Sequence, residues 1–421
     1  MTNIFKSKLF KDTASYSAIN ILDKAIPFLI MPIIARVISK EEMGYYSLYQ
    51  VTFHVLIPIL TLCIDYPVVV SYYRMAKEVF TRYFSTSFFL VLSLYVILVS
   101  IAFILSSTLS QLFGLEEKWL FITYLIVLLN YSNQLRLNMW RITKKPLLYG
   151  SFSIPLVLIK NILGLVFIFC FHCGWEGIIL GHLIGHFVFC FYALFSMMKD
   201  GYLKWSFEKG HIIDLLKTGI PVSVHQLSGW LSTSLNRLVI NSILGAAATG
   251  SFGIGSTFGT IITVLEDACN KAYAPYLYEK LAKYDEKQAY SIVKLIRIYY
   301  VFFISLGLII SLIGYFGVGL MFGEKYIDTR SFIIPVAAAS VINGLYKVHV
   351  NFIFFTKKTY IVARNTIICA ISNIAICYYL VSWYGILGAA YATIVIQLLL
   401  YVLTILQSNR LYKLPWANIL K

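Results

Sequence analysis

The chain has 421 residues, of which 59% are hydrophobic and only 13% charged, and it carries a net charge of +16. A soluble domain of this length would carry about 25% charged residues, so a large water-soluble core is excluded. The basic residues are scattered through every short connection instead of forming an arm or domain, which reads as membrane topology and not as nucleic-acid binding.

Apolar runs follow one another over residues 15–38, 43–70, 83–110, 119–142, 147–172, 176–198, 212–240, 250–276, 291–320, 329–355, 360–382 and 384–407. Each is long enough to cross about 30 Å of hydrocarbon. A helix satisfies its own backbone polar groups in lipid, whereas a barrel would show strands of about ten alternating residues. The sequence therefore predicts an all-α integral membrane protein of about twelve transmembrane helices. The first run is long, charged and proline-containing, so it is expected to be retained and not cleaved as a signal peptide.

Taken in chain order, the first segment carries Asp23, Lys24 and Arg36 with Pro27 and Pro32. The second has His54 and Asp65, which on one continuous helix would share a face about 16 Å apart, with Pro58 and Pro67. A proton path through the two is conceivable, and a satisfied core histidine is the plainer reading. The fourth segment holds Asn130, Gln134, Asn138 and Arg141 at spacings that put them on one helical face, with Asn133 beside them and Arg136 on the flank. Lys160 lies inside the fifth segment. In the sixth, His182 and His186 stand one turn apart beside Gly181 and Gly185; close packing through the small residues explains them more simply than a metal, which would need further ligands. Arg237 closes the seventh segment.

The eighth segment has Glu266, Asp267 and Lys271. Asp267 precedes Lys271 by four residues, the favourable order for a helical ion pair, which leaves Glu266 as the better titratable group. The tenth carries Asn343, Lys347 and Asn351. A charge at mid-bilayer costs about 2.5–3.5 kcal/mol on insertion scales, so these side chains are expected to face a wet cavity or one another. Arg36, Arg136 and Arg237 can also snorkel to an interface. The prolines of the first, second, seventh and eighth segments (Pro27, Pro32, Pro58, Pro67, Pro221, Pro275) are expected to interrupt those helices. The seven cysteines (Cys63, Cys170, Cys173, Cys190, Cys269, Cys369 and Cys377) lie in apolar sequence and read as small core residues, with neither a disulfide framework nor a metal site implied.

The two halves resemble each other. Asn138–Lys145 matches Asn351–Lys358 at an offset of 213, Trp175–Ile178 matches Trp383–Ile386 at 208, and Ser39–Gly44 matches Gly245–Gly250 at 206. Duplication of a six-helix unit follows, with an N-lobe over 1–205 and a C-lobe over 206–421. Six is even, so the lobes share one orientation, related by a pseudo-two-fold along the membrane normal and suited to a central cavity and alternating access. The polar stripe of the fourth segment recurs in the tenth at the same offset of 213. It faces either a lumen or hydrogen-bond partners within the bundle.

Lys and Arg in alternate connections number 23 on one side (Lys6, Lys8, Lys11, Lys283, Lys357, Lys413 and Lys421 among them) and four on the other (Lys40, Lys118, Lys325 and Arg330). The positive-inside rule then puts both termini in the cytoplasm. The outer connections are a few residues long, so function is expected among the helices.

The stretch Pro27–Arg36, followed by Ser39–Leu48, resembles the opening of the O-antigen and polysaccharide flippases of the multidrug/oligosaccharidyl-lipid/polysaccharide exporter superfamily. Leu235–Ile240 through Gly250–Gly253 resembles their seventh helix and following turn, with Asn236-Arg237 where members often have Asp-Arg. The resemblance implies a bacterial inner-membrane flippase. It would carry an oligosaccharide on undecaprenyl pyrophosphate from the cytoplasmic to the periplasmic leaflet. Lys24, Arg136, Arg237 and Lys347 are then expected to meet the pyrophosphate, and Asn130, Gln134, Asn138, Asn343 and Asn351 the glycan. Glu266 and Asp65 are the expected carriers of a coupling H⁺ or Na⁺. No cofactor is expected, and the sequence has no Walker A pattern for direct ATP use. Besides its lipid substrate and membrane lipids, a polysaccharide polymerase and chain-length machinery are implied partners. A multidrug cation antiporter of the same superfamily is the nearest alternative, and a membrane polysaccharide polymerase or ligase the rival from another class.

Overall fold

The computed structural model describes residues 8–282, 284–356, 358–412 and 414–415. Among them are fifteen α-helices, one 3-10 turn and no strand. In order they are α1 (Lys8–Val37), α2 (Lys40–Thr61), α3 (Asp65–Ser71), α4 (Lys77–Ile104), α5 (Ser106–Phe113), α6 (Glu117–Ile142), α7 (Pro146–Phe171), α8 (Gly174–Lys199) and α9 (Lys209–Thr233). There follow α10 (Leu235–Leu244), α11 (Ala246–Ala282), α12 (Glu286–Phe322), the 3-10 turn Glu324–Thr329, α13 (Arg330–Phe355), α14 (Thr359–Tyr384) and α15 (Ile386–Leu411). These are the twelve expected segments, with the second, third and seventh each broken in two. Of the basic residues used for orientation, Lys6, Lys283, Lys357, Lys413 and Lys421 lie outside the described residues, as do the side chains of Lys8 and Lys11.

Among the described residues, nine helices are long and apolar enough to span a bilayer, and the bent pair α2–α3 makes a tenth. The other two segments are less apolar or shorter: α6 carries the amide and arginine stripe, and α9–α10 is interrupted at Ser234. Large apolar side chains such as Leu29, Phe103, Phe171, Phe316 and Leu320 stay exposed along the spans, as lipid-facing positions should.

The expected proline interruptions fall differently. Helices α1, α9 and α11 run through Pro27, Pro32, Pro221 and Pro275 without ending, because neighbouring helices and hydroxyl side chains can satisfy a carbonyl that proline frees. The second segment does break, with a bend of 56°, at Leu62 and Cys63, which adopt φ of 46° and 51°. His54 and Asp65 therefore do not share one helical face, and the proposed path along a straight helix is lost.

The chain separates into two compact units, Met1–Leu227 and Ser228–Lys421. The division runs through α9. Ser223 Oγ donates to Pro58 O at 2.7 Å in the first unit, and Asn373 Nδ2 donates to Leu231 O at 2.9 Å in the second. The first unit is centred on Phe80, Phe84, Tyr131, Trp140, Phe152 and Met197, and the second on Ile240, Phe252, Phe332, Val381 and Ala389.

The internal repeat is visible in the helices themselves. Helices α6, α7 and α8 have 26 residues each, as do α13, α14 and α15. Their starts differ by 213, 213 and 212, and α2 and α11 start 206 apart. Packing repeats too: α6 meets α2 and α8 and α7 meets α8, while α13 meets α11 and α15 and α14 meets α15. The Trp175/Trp383 match is out of this register, since Trp175 begins α8 whereas Trp383 ends α14. Two of the three sequence anchors coincide with equivalent helix positions.

Within the first unit the glycines explain the closest approach. A Cβ on Gly181 would lie 2.3 Å from Gly164 N and 2.6 Å from Lys160 O, and one on Gly185 2.6 Å from Lys160 Cβ. The backbones of α7 and α8 touch, as expected where small residues let membrane helices approach. Of the cysteines, Cys63, Cys190, Cys369 and Cys377 are buried, but Cys170 is exposed and Cys173 and Cys269 half-buried. The core reading therefore holds for four of the seven.

Candidate functional site

In the first unit the α6 stripe divides. Gln134 is exposed and Asn130 half-buried. Asn138, by contrast, is buried and links two helices: its Nδ2 donates to Asp65 Oδ2 at 3.3 Å and its Oδ1 accepts from Arg141 Nη2 at 2.6 Å. Asp65 thus sits in the first turn of α3 at the end of an Arg141–Asn138–Asp65 chain of polar contacts.

Arg136 is committed elsewhere. Its side chain is 4% exposed, its Nη2 is 2.6 Å from Asp200 Oδ2, and its guanidinium lies 4.2 Å from the Trp140 ring centre. A desolvated guanidinium needs that carboxylate, and the aromatic face adds a cation–π contact. Asp200, just after α8, could not be named from the sequence because the pairing spans 64 positions.

A polar cluster among α1, α2, α6, α7 and α8 was legible only in pieces. Ser153 Oγ donates to Asp23 Oδ2, and Asp23 interacts electrostatically with Lys160. His182 Nδ1 shares a 2.9 Å hydrogen bond with the Tyr49 hydroxyl, and Asn133 Nδ2 donates to His186 Nδ1 at 3.3 Å. Lys24, next to Asp23, is exposed.

In the second unit, α13 turns its stripe towards α11 and α15. Asn343 Nδ2 donates to Gln397 Oε1 at 3.0 Å. Asn351 Nδ2 donates to Asn270 Oδ1 at 2.7 Å, and Asn351 Oδ1 accepts from the Tyr278 hydroxyl at 3.3 Å. Lys347 Nζ stands between two carboxylates, 2.8 Å from Asp267 Oδ1 and 3.3 Å from Glu266 Oε2. Glu266 is 1% exposed and Asp267 42%, with Lys347 at 18%. Glu266, left without a helical ion-pair partner by the spacing on α11, takes one from another helix, 81 positions away. Gly344, one turn before Lys347, leaves the room: a Cβ there would meet Glu266 Oε1 at 2.7 Å.

Arg237 is half-buried in the first turn of α10. Its neighbour Asn236 is wholly buried and uses its amide in both senses. Nδ2 donates to Thr393 Oγ1 at 2.8 Å and to Ala389 O at 3.4 Å, while Oδ1 accepts from Asn373 Nδ2 at 3.1 Å. An aspartate could accept but not donate there, so the amide at this position has a structural reason. Asn373 and Thr393 escaped the sequence reading because single polar residues in long apolar runs carry no periodic signal.

Lys118, from the connections with few basic residues, pairs with Glu116 at 3.0 Å and Glu176 at 3.7 Å, all exposed enough to contribute little stability.

Ten apolar spans among the described residues, in a repeated helix pattern with charged side chains paired inside each unit, define a polytopic membrane protein. The chain belongs to the polysaccharide biosynthesis protein family, whose model matches residues 9–280. Among individual proteins it is similar to the Lsg locus putative protein 1 of Haemophilus influenzae, 21% identical over 376 residues that cover 87% of this chain and 90% of that protein. Its fold is that of the lipid II flippase MurJ in an inward closed conformation (TM-score 0.76, 16% identity, 94% of this chain and 87% of that one). An inward-facing multidrug resistance MATE family transporter of the MOP superfamily also shares it (TM-score 0.67, 13% identity, 93% and 99%).

Proposed function

We propose that this protein is a flippase for a lipid-linked oligosaccharide. It carries undecaprenyl-pyrophosphate-linked repeat units of an O-antigen or related polysaccharide from the cytoplasmic to the periplasmic leaflet, by alternating access of two six-helix lobes, 1–205 and 206–421. The observation that carries the reading is the full-length likeness to a lipid II flippase within a polysaccharide biosynthesis family. The surplus of basic residues in the chain suits an anionic head group. The protein works in the bacterial inner membrane with both termini cytoplasmic, as the distribution of Lys and Arg supports.

Lys24, Arg237 and Lys347 supply the cations for the pyrophosphate, and Asn130 and Gln134 supply amides for the glycan. Arg136, expected among the cations, and Asn138, Asn343 and Asn351, expected among the amides, are each bonded inside their own unit. Glu266 and Asp65 carry the coupling proton or sodium ion, and polymerase and chain-length proteins take up the product.

The test is a deletion strain in which lipid-linked intermediates are followed across the two leaflets. Completed repeat units stranded on the cytoplasmic side are expected; normal surface polymer overturns the proposal. The likeness to a multidrug transporter favours a second reading, export of organic cations. Ethidium efflux from cells expressing the protein would support it, and the basic composition argues against it.

A further inference from the structure

Lys347 is the best-defined cation of the second unit, yet it is not simply available to an anion. Its ammonium is shared by Asp267 at 2.8 Å and Glu266 at 3.3 Å. Any anionic oxygen approaching Nζ also approaches both carboxylates, whose repulsion opposes binding. Asp267 is 42% exposed, whereas Glu266 is 1% exposed and takes its ion pair from Lys347. The two acids are therefore unequal in burial, and neutralising the buried one leaves the ammonium with a single carboxylate.

We infer that Lys347 is a gated anion receptor: a proton taken up by Glu266 releases the ammonium to the pyrophosphate of the lipid substrate, so that proton and substrate bind together. In this step a solution proton adds to the Glu266 carboxylate and makes a neutral acid. Lys347 stays an ammonium, and the N–H that met Oε2 turns to a phosphate oxygen. The linkage is reciprocal, so bound pyrophosphate favours proton uptake to the same extent. This inference rests on the flippase reading.

The groups acting on Glu266 are few. From α13 come Lys347 and the backbone at Gly344, and from α11 itself Asp267 and Cys269. Helix α12 brings Tyr299, whose hydroxyl donates to Cys269 O at 3.3 Å. The 3-10 turn meets α11 about four turns away, where Ser251 Oγ donates to Asp328 Oδ2 at 3.4 Å, and α10 joins α11 at that same end. The proximity of Gly344 Cα to the carboxylate lets Glu266 sit against α13 within reach of Lys347.

The experiment uses the purified full chain in detergent micelles with undecaprenyl pyrophosphate as probe and undecaprenol as control, read by intrinsic tryptophan fluorescence. At about pH 5 the native protein is expected to bind the pyrophosphate about tenfold tighter than at about pH 8. Glu266→Gln, a neutral mimic of the protonated acid, is expected to bind tightly at both values, and Lys347→Gln weakly at both. Glu266→Gln also separates the protein's proton from those of the pyrophosphate itself. A pH dependence that survives in Glu266→Gln, or none in the native protein, overturns the gated receptor and leaves the flippase reading in place. No preference for the pyrophosphate over undecaprenol at either pH removes the flippase reading too.

Discussion

Asn373 donates its side-chain amide to Asn236 at 3.1 Å, and the two positions 213 residues earlier hold Asp23 and Lys160. Equivalent positions are thus polar in both units. In the second unit α10 and α14 meet through a pair of amides; in the first, Asp23 on α1 bonds Ser153 on α7 and interacts electrostatically with Lys160. Because the amide version already works in this molecule, it shows what the charged version needs structurally.

It follows that replacing both charges is milder than replacing one. Lys160→Asn alone leaves the Asp23 carboxylate without its cation, and Asp23→Asn alone leaves a mid-membrane ammonium without its anion. Each single change is expected to cost about 1–3 kcal/mol, with the double change Asp23→Asn/Lys160→Asn recovering much of the loss. Thermal unfolding of the four proteins in detergent measures the cycle. Strictly additive losses would mean that the two charges do not work as a pair.

The Arg136–Asp200 pair gives an asymmetric prediction, because its members differ in burial: 4% against 38% exposed. Asp200→Ala strands a buried guanidinium and is expected to cost about 3–5 kcal/mol. Arg136→Met removes the buried charge, keeps an apolar side chain against Trp140 and leaves a carboxylate that water can reach, so about 1 kcal/mol is expected. Membrane abundance and unfolding temperature check the order. Polymer export per molecule should survive Arg136→Met; its loss at normal abundance would make Arg136 a direct substrate contact.

Much of this architecture was legible in the sequence, for reasons visible in particular residues. Apolar length alone gave the spans, since the bilayer imposes it. The spacing of Asn130, Gln134 and Asn138 and its recurrence at Asn343, Lys347 and Asn351 marked α6 and α13 as equivalent helices, and both prove to have 26 residues. What stayed hidden was long-range or conformational. Lys347 meets Glu266 across 81 positions, a pairing that helical periodicity cannot encode. The break at Leu62–Cys63 relies on positive φ at two residues that rarely adopt it, so no glycine announced it. Trp175 and Trp383 matched by residue type at helix ends, and the helices that hold them are not equivalent.

Asn236 tests the structural role of an amide where the family resemblance implies an acid. Asn236→Asp keeps the size and the acceptor for Asn373 but loses the donor to Thr393 and Ala389 O. It also brings a carboxylate against a carbonyl at a site with no exposure. A loss of about 2–3 kcal/mol is expected. Asn236→Gln is expected to be no better, because the longer side chain must move off those partners. Unfolding temperatures decide the point, and an Asp variant as stable as the native protein would show that the donated hydrogen bonds contribute little.

Lys24 separates recognition from stability. It is exposed in the middle of α1 beside Asp23, so its removal takes away little packing. Lys24→Ala is expected to leave membrane abundance within about 20% of native, as surface changes usually sit within about 0.5 kcal/mol. Export should nevertheless fall about tenfold, since a charge-assisted contact to phosphate is worth about 1.5–3 kcal/mol. Lys24→Arg keeps the charge and should retain most of the activity, which distinguishes an electrostatic contact from a steric one. Surface polymer per unit of membrane protein is the measurement. Full export by Lys24→Ala would remove this lysine from the substrate path, and equal loss in Lys24→Arg would mean that shape, not charge, is what α1 contributes there.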